Sequence, residues 1–177
     1  MIILVGKTCS GKSTIADIME NDYYLPRIRT YTTRPKRQNE GEEYHFINKE
    51  EFEDLKEKGF FFETTQYEVA SGETWHYGTA KEDLQSFGVI VMNLEGAKKI
   101  RHMADDSINP TIVYLNVSEG VAWDRLRKRG QNSDEAQRRI KADNQDFADI
   151  DKYYDYAITT DKLSAKDIAR KIMCLRW

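Results

Sequence analysis

The sequence predicts an α/β fold, with a parallel sheet covered by helices on both faces. Three observations point there. Short apolar runs at Ile2–Val5, Gly88–Asn93 and Thr111–Val117 are each followed by a helix-compatible stretch, the pattern of strands buried on both sides. The segment Gly6-Lys-Thr-Cys-Ser-Gly11-Lys12-Ser13 lies between the first such strand and its helix, and it fits G-x-x-x-x-G-K-[ST]. The 177 residues, 40% of them hydrophobic, are about one domain's length with enough apolar material for a core.

Each element has a local reason. After strand 2–5, periodic apolar positions give a helix over Ser13–Asn21. Leu25–Thr33 is extended, residues 34–43 form a polar charged loop, and Tyr44–Ile47 is a short strand. Asn48 with Glu51 is a capping pair opening a helix that ends near Lys58. Phe60–Glu68, aromatic and β-branched, is a strand; 69–76 is turn-rich, and Trp75–Gly78 returns as a strand. Thr79 with Glu82 has the spacing of a second capping box, for a helix over 80–86. Strands 88–93 and 111–117 are followed by helices 95–104 and 118–129. Asn132 and Glu135 open a polar helix that runs to Phe147, and Tyr156–Thr159 is the last strand. Ser164 caps helix 165–174, with Leu163 and Ile168 placed as a hydrophobic staple. Strand ends at residues 5, 93 and 117 then share one sheet edge, where ligands of such folds bind.

Composition narrows the function. Lys and Arg total 27 against 30 Asp and Glu, a net charge of -3, which argues against a nucleic-acid binder. No apolar run approaches the roughly 18 residues of a membrane span, and Gly6 and Lys7 interrupt the first run too early for a secretion signal. Two cysteines, Cys9 and Cys174, make no disulfide framework. The expectation is a cytoplasmic protein acting on a small molecule, as a monomer or homodimer, with no nucleic-acid or membrane partner.

The Gly6–Ser13 pattern carries its own chemistry. Glycines let the backbone fold so that several N–H groups face phosphate oxygens, and the helix that follows adds its positive end. Residues Gly6, Lys7, Thr8, Cys9, Ser10, Gly11, Lys12, Ser13 and Thr14 are therefore candidates for holding a triphosphate. Lys12 would neutralise the phosphates, and Ser13 would place its hydroxyl on Mg²⁺. Cys9, a thiol at a helix N-terminus, is either redox-sensitive or a small space-filling residue. Downstream, RTYTTRPKR sets Arg34 and Arg37 beside one proline. Two guanidinium forks can grip a phosphate; a solvated basic loop is the alternative.

Taken in order, the Gly6–Ser13 loop, TTRPKR, GEEYHF, FFFE, HYGT and the later RLRKRG…EAQRRI resemble the guanylate kinase family across nearly the whole chain. The resemblance implies a P-loop kinase core in three layers, an inserted mixed α+β region for the nucleoside monophosphate, and a helical lid. The segments would be core at 1–28, 83–124 and 148–177, GMP-binding insertion at 29–82, and lid at 125–147. It implies ATP-dependent phosphorylation of GMP or dGMP, with ATP and Mg²⁺ as cofactors. Arg34, Arg37, Tyr44 and Tyr77 would hold the GMP phosphate. Glu63 would accept hydrogen bonds from guanine, and Thr30 and Thr79 would offer hydroxyls to its edge. Arg125, Arg129 and Arg139 would close over the ATP phosphates. A kinase for another nucleoside monophosphate or a sugar phosphate, or a catalytically weak binding module on this fold, are the other readings.

The chain also departs from the family pattern. The usual D-x-D ending the strand at 88–93 is replaced by Val91 and Asn93. Asn93 can still meet a ligand or a metal-bound water, and Glu95 would substitute only if the backbone turned it inward. The segment 66–75 is an insertion, expected near the acceptor or a partner subunit. Thr160 stands where the family often has an asparagine that meets adenine.

Overall fold

The structure is a computed structural model and describes residues 1–37, 41–69, 72–103 and 110–175. Residues 38–40 of the expected basic loop, 70–71 of the expected insertion and 104 at the end of an expected helix lie outside the described residues.

All four residues of β1 (Ile2–Val5) have no exposed surface, as the apolar run requires of a central strand. Side chains alternate along a strand, so β1 feeds two cores. Ile2 and Leu4 join Ile15, Ala16 and Met19 of α1 (Lys12–Tyr23) and Ile168, Ala169 and Ile172 of α6 (Ala165–Met173). Ile3 and Val5 join Leu94, Ala97 and Ile100 of α3 (Leu94–Met103) on the other face. The result is three layers.

The main sheet is parallel throughout, in the order β2-β7-β1-β8-β9, with β2 at Arg27–Ile28, β7 at Val89–Val91, β8 at Thr111–Asn116 and β9 at Tyr156–Thr159. Strands β1 and β7 end side by side at one edge, beside the start of α1. Behind that edge, α4 (Glu119–Lys128) and α5 (Ser133–Asp146) pack through Ala122, Leu126, Ala136 and Ile140. Cys9 and Val117 close the same cluster.

Between β2 and β7 the chain builds a second sheet in the order β4-β3-β6-β5, with β3 at Thr30–Thr32, β4 at Tyr44–Phe46, β5 at Phe61–Glu68 and β6 at Thr74–Ala80. Helix α2 (Lys49–Glu57) covers it, and the Asn48–Glu51 capping box is formed as the sequence predicts. Phe52 of α2 is fully buried and stacks on Phe61 at 4.6 Å between ring centroids. A Cβ at position 78 would lie 2.7 Å from the Phe61 ring, which accounts for the glycine of WHYGT. The flanks of the expected insertion, 66–68 and 74–75, are strand, forming the far end of the β5–β6 hairpin, regular from Glu63↔Thr79 out to Glu68↔Thr74.

One expected cap is corrected and another is found as expected. Thr79 does not cap a helix over 80–86. It lies within β6, and only a 3₁₀ turn follows, at Glu82–Gln85, with no side-chain cap. Its hydroxyl is committed across the hairpin to Glu63. Asn132 caps α5 as expected, accepting the Asp134 N–H at 2.8 Å. Glu135 turns along the helix to Arg138 and Arg139. Ser164 caps α6 as expected, accepting from the Asp167 N–H at 3.1 Å.

Candidate active site

A cleft of about 550 Å³ opens between the two sheets and α5. Its floor is the Gly6–Ser13 loop. Gly11 sits at φ 92°, in the left-handed region open to glycine. At Gly6 a Cβ would come within 2.6 Å of both the Leu115 carbonyl oxygen and the Ser10 Oγ. The loop is thus wound too tightly to admit a side chain there. Lys12 Nζ reaches back inside it, donating to the Gly6 carbonyl at 2.6 Å and the Lys7 carbonyl at 3.0 Å. Burial lowers this ammonium from its ordinary value to about 8, while the neighbouring Asp143 carboxylate works in the opposite sense.

The loop already shows affinity for an anion. The Thr8 N–H donates to Asp143 Oδ2 at 2.6 Å, and Lys7 Nζ donates to Asn144 Oδ1 at 2.7 Å. A carboxylate of α5 therefore occupies an inward-facing amide of the kind that phosphates use. Ser13, in the first turn of α1, is half-buried at the same end. Mg²⁺ is commonly held by one or two carboxylates with phosphate and water completing its shell; here the Ser13 hydroxyl would be the protein's contribution, with phosphate oxygens and water supplying the rest. Val91 and Asn93 supply no carboxylate, and Glu95 is 72% exposed and pairs with Lys98. Among the described residues there is no group of three acidic, His or Cys side chains suited to a metal.

The opposite wall is one face of the β5–β6 hairpin. Glu63 faces Thr79, Thr65 faces Tyr77, and Tyr67 faces Trp75 across the ladder, and all six line the cleft. Thr79 Oγ1 donates to Glu63 Oε1 at 2.9 Å, and Thr65 Oγ1 to Oε2 at 3.2 Å. Burial raises the Glu63 carboxyl above its usual range, and the two hydroxyls, Lys99 and the Asn93 side chain oppose the rise. Asn93 donates from Nδ2 to Thr65 Oγ1. Thr30, Tyr44 and Arg37 line the same wall nearer its edge. Burial pushes the Tyr44 hydroxyl up to about 12, which keeps it a protonated donor. Arg34 is 4% exposed and lies over the rings of Tyr44 and Phe46 at 5.5 and 5.6 Å.

The arginines of the expected lid divide into two sets. Arg139 lines the cleft from α5, and its Nε donates to Glu135 at 2.7 Å; Arg138 is bound to the same carboxylate. Those two guanidiniums hold Glu135 well below the usual carboxylate range, at about 2. Arg129, at the end of α4, is near enough for its charge to act on Lys12. Arg125 lies outside the cleft lining. It donates to the Cys9 carbonyl at 2.8 Å, the Thr160 carbonyl at 2.9 Å and the Thr160 hydroxyl at 3.3 Å. Thr160 is 1% exposed and faces Arg125. Cys9 is 7% exposed within the apolar cluster below the loop, which favours the space-filling account of its thiol.

Thr65, Asp143 and Asp146 line the cleft without having been singled out from sequence, while Tyr67 and Trp75 lie there within the segment 66–75 expected near the acceptor. Thr65 and Tyr67 had a signal, because they follow Glu63 at the two-residue period of a strand face. The two aspartates had none, since their place depends on how α5 packs over a loop 135 positions away.

Comparison with known proteins agrees with this geometry. The family model described as Guanylate kinase matches residues 1–172. A guanylate kinase of Xylella fastidiosa (strain Temecula1) is 31% identical over 168 residues, covering 89% of this chain and 78% of its own length. One of Nostoc sp. (strain PCC 7120) is 31% identical over 175 residues, covering 93% and 84%. Among solved structures, guanylate kinase from Anaplasma phagocytophilum has a TM-score of 0.64 at 22% identity, covering 98% of this chain and 81% of that one. Shikimate kinase from Bacteroides thetaiotaomicron shares the fold at a TM-score of 0.53 and 16% identity, covering 97% and 94%.

Proposed function

This chain belongs to the guanylate kinase family, and from that membership we propose how its cleft divides the work of phosphorylating GMP with ATP. The observation that carries the proposal is that one cleft holds a phosphate-type loop at one end and a doubly hydrogen-bonded carboxylate at the other.

ATP lies with its phosphates on residues 6–14, against Lys12, and Ser13 would hold Mg²⁺ through its hydroxyl. When bound, the ion offsets charge on the phosphate oxygens. GMP lies along the hairpin. Glu63 accepts from the guanine N1–H and exocyclic amine, with Thr30 and Thr79 at the base edge. Adenine offers an acceptor where guanine offers N1–H, so a carboxylate there rejects it, and sites built on hydrogen bonds discriminate more sharply than apolar ones. Arg34, Arg37, Tyr44 and Tyr77 take the GMP phosphate. One of its oxygens attacks the terminal phosphorus of ATP. The new P–O bond forms as the bond to the bridging oxygen breaks, and ADP leaves with that electron pair. The attacking phosphate is already ionised, so no general base is required. Arg129 and Arg139 stabilise the charge spread over the transferring group. Arg125 supports the loop from behind. Segments 1–28, 83–124 and 148–177 form the core in this reading, 29–82 the acceptor region and 125–147 the lid.

Coupled ADP-release assays with GMP, dGMP, AMP, UMP and CMP test the base assignment. Arg34→Ala tests the phosphate end: GMP phosphorylation is lost while ATP binding stays near the wild-type value. Full turnover in that variant refutes the acceptor assignment.

A further inference from the structure

We propose that Thr65, held from behind by Asn93, is the positioning residue that orients the Glu63 carboxylate for guanine and thereby sets base specificity. This rests on the reading of Glu63 as the guanine acceptor. Asn93 precedes α3, and its Oδ1 accepts the Gly96 N–H at 2.7 Å. That contact fixes which end of the amide is which. The other end, Nδ2, donates to Thr65 Oγ1 at 2.9 Å. A threonine hydroxyl has one proton, and with its oxygen already accepting from Asn93, that proton is free to point at Glu63 Oε2, 3.2 Å away. One line of donation therefore runs from the α3 backbone through Asn93 and Thr65 to the carboxylate, and the Asn93 amide also acts on Glu63 directly, favouring its charged form. Thr79 holds the other oxygen from across the hairpin at 2.9 Å. With one hydroxyl on each oxygen, the carboxylate plane is fixed, and each oxygen keeps a lone pair for one guanine donor.

Asparagine is the side chain that permits this polarity. An aspartate at 93 would have no N–H to give. It would instead compete for the single Thr65 proton and set a second negative charge beside Glu63. Packing leaves little slack, because a Cβ at Gly96 would lie 3.3 Å from both Glu63 Cδ and Asn93 Oδ1. Thr65 acts through Glu63, so its loss should be felt by GMP and not by ATP.

Steady-state kinetics of Thr65→Val, Thr65→Ser, Asn93→Asp and Glu63→Gln test the inference, with GMP, IMP and AMP as acceptors across pH 5 to 8. Thr65→Val is expected to raise the KM for GMP about tenfold, the size of one lost hydrogen bond to a charged group, with the KM for ATP unchanged. Its acid limb of kcat/KM for GMP should move to higher pH, since the carboxylate has lost a donor. Thr65→Ser should restore both values. Asn93→Asp should raise the GMP KM and move the acid limb at least as far as Thr65→Val, because it adds a charge beside Glu63 as well as removing the donor to Thr65; an unmoved GMP KM in Asn93→Asp overturns the role given to Asn93. An unmoved GMP KM and acid limb in Thr65→Val overturns the proposal. So does an equal rise in both KM values, which would mark a structural fault. Glu63→Gln separates the underlying reading: retained preference for GMP over AMP there would overturn the guanine assignment, and this proposal with it.

Discussion

Replacing Asp143 by asparagine is expected to tighten ATP binding. In the free protein the Asp143 carboxylate accepts the Thr8 N–H at 2.6 Å, inside the loop assigned to the ATP phosphates. Nucleotide must displace that contact before its own oxygens can use the amide. A hydrogen bond to a charged group is worth about 1.5–3 kcal/mol in a folded protein, against about 0.5–1.5 for a neutral pair. Exchanging carboxylate for amide therefore weakens the internal contact by about 1 kcal/mol. Apparent affinity scales with the fraction of protein whose site is open, so ATP should bind about fivefold tighter. A second effect opposes this. Asp143 props up the pKa of Lys12, which burial has lowered to about 8. Without Asp143 the lysine loses its proton at lower pH, so the gain should be largest near pH 7 and shrink as pH rises past 8. Calorimetric titration with a non-hydrolysable ATP analogue at pH 7.0 and 8.5 reads both effects. Unchanged or weaker binding at pH 7.0 would refute the view that this carboxylate competes with phosphate.

Three further outcomes follow from other contacts. Wild-type ATP affinity should fall as pH climbs above 8, because Lys12, with its lowered pKa, sheds its charge there; titrations from pH 7 to 9.5 check this. Gly78→Ala should cost about 1–3 kcal/mol of stability by driving a methyl against the Phe61 ring, seen in urea melts. Arg125→Lys should break the fork that joins the Cys9 and Thr160 carbonyls. It should lower the melting temperature and raise the KM for ATP while leaving that for GMP in place, since none of its contacts reaches the hairpin.

Much of this was legible from the residues because it is local. The buried quartet Ile2–Val5, the glycines around Lys12 and the caps at Asn48 and Ser164 each depend on neighbours within a few positions, and all are found as read. Thr79 shows the limit. Its spacing from Glu82 satisfies the rule for a helix cap, yet its hydroxyl is claimed by Glu63, sixteen positions earlier, through strand pairing. The same holds for Asp143 of α5 on Thr8 and for Arg125 of α4 on Thr160, just past β9: the partners are remote in sequence, and only tertiary packing brings them together. Thr65 lies between these cases. Strand periodicity puts it beside Glu63, but its link to Asn93 depends on where α3 begins.

The two sides of the β5–β6 ladder carry unrelated duties. Glu63, Thr65, Tyr67, Trp75, Tyr77 and Thr79 turn their side chains into the cleft, while His76 backs onto Phe52 and the missing side chain of Gly78 leaves room for Phe61. A slip of one position between these strands would turn the chemistry outward and thrust the packing residues at the substrate. If Glu63 selects the base as proposed, choice of base and fidelity of strand pairing are a single event: a molecule that zips this ribbon out of step would be not a weaker kinase but a blind one.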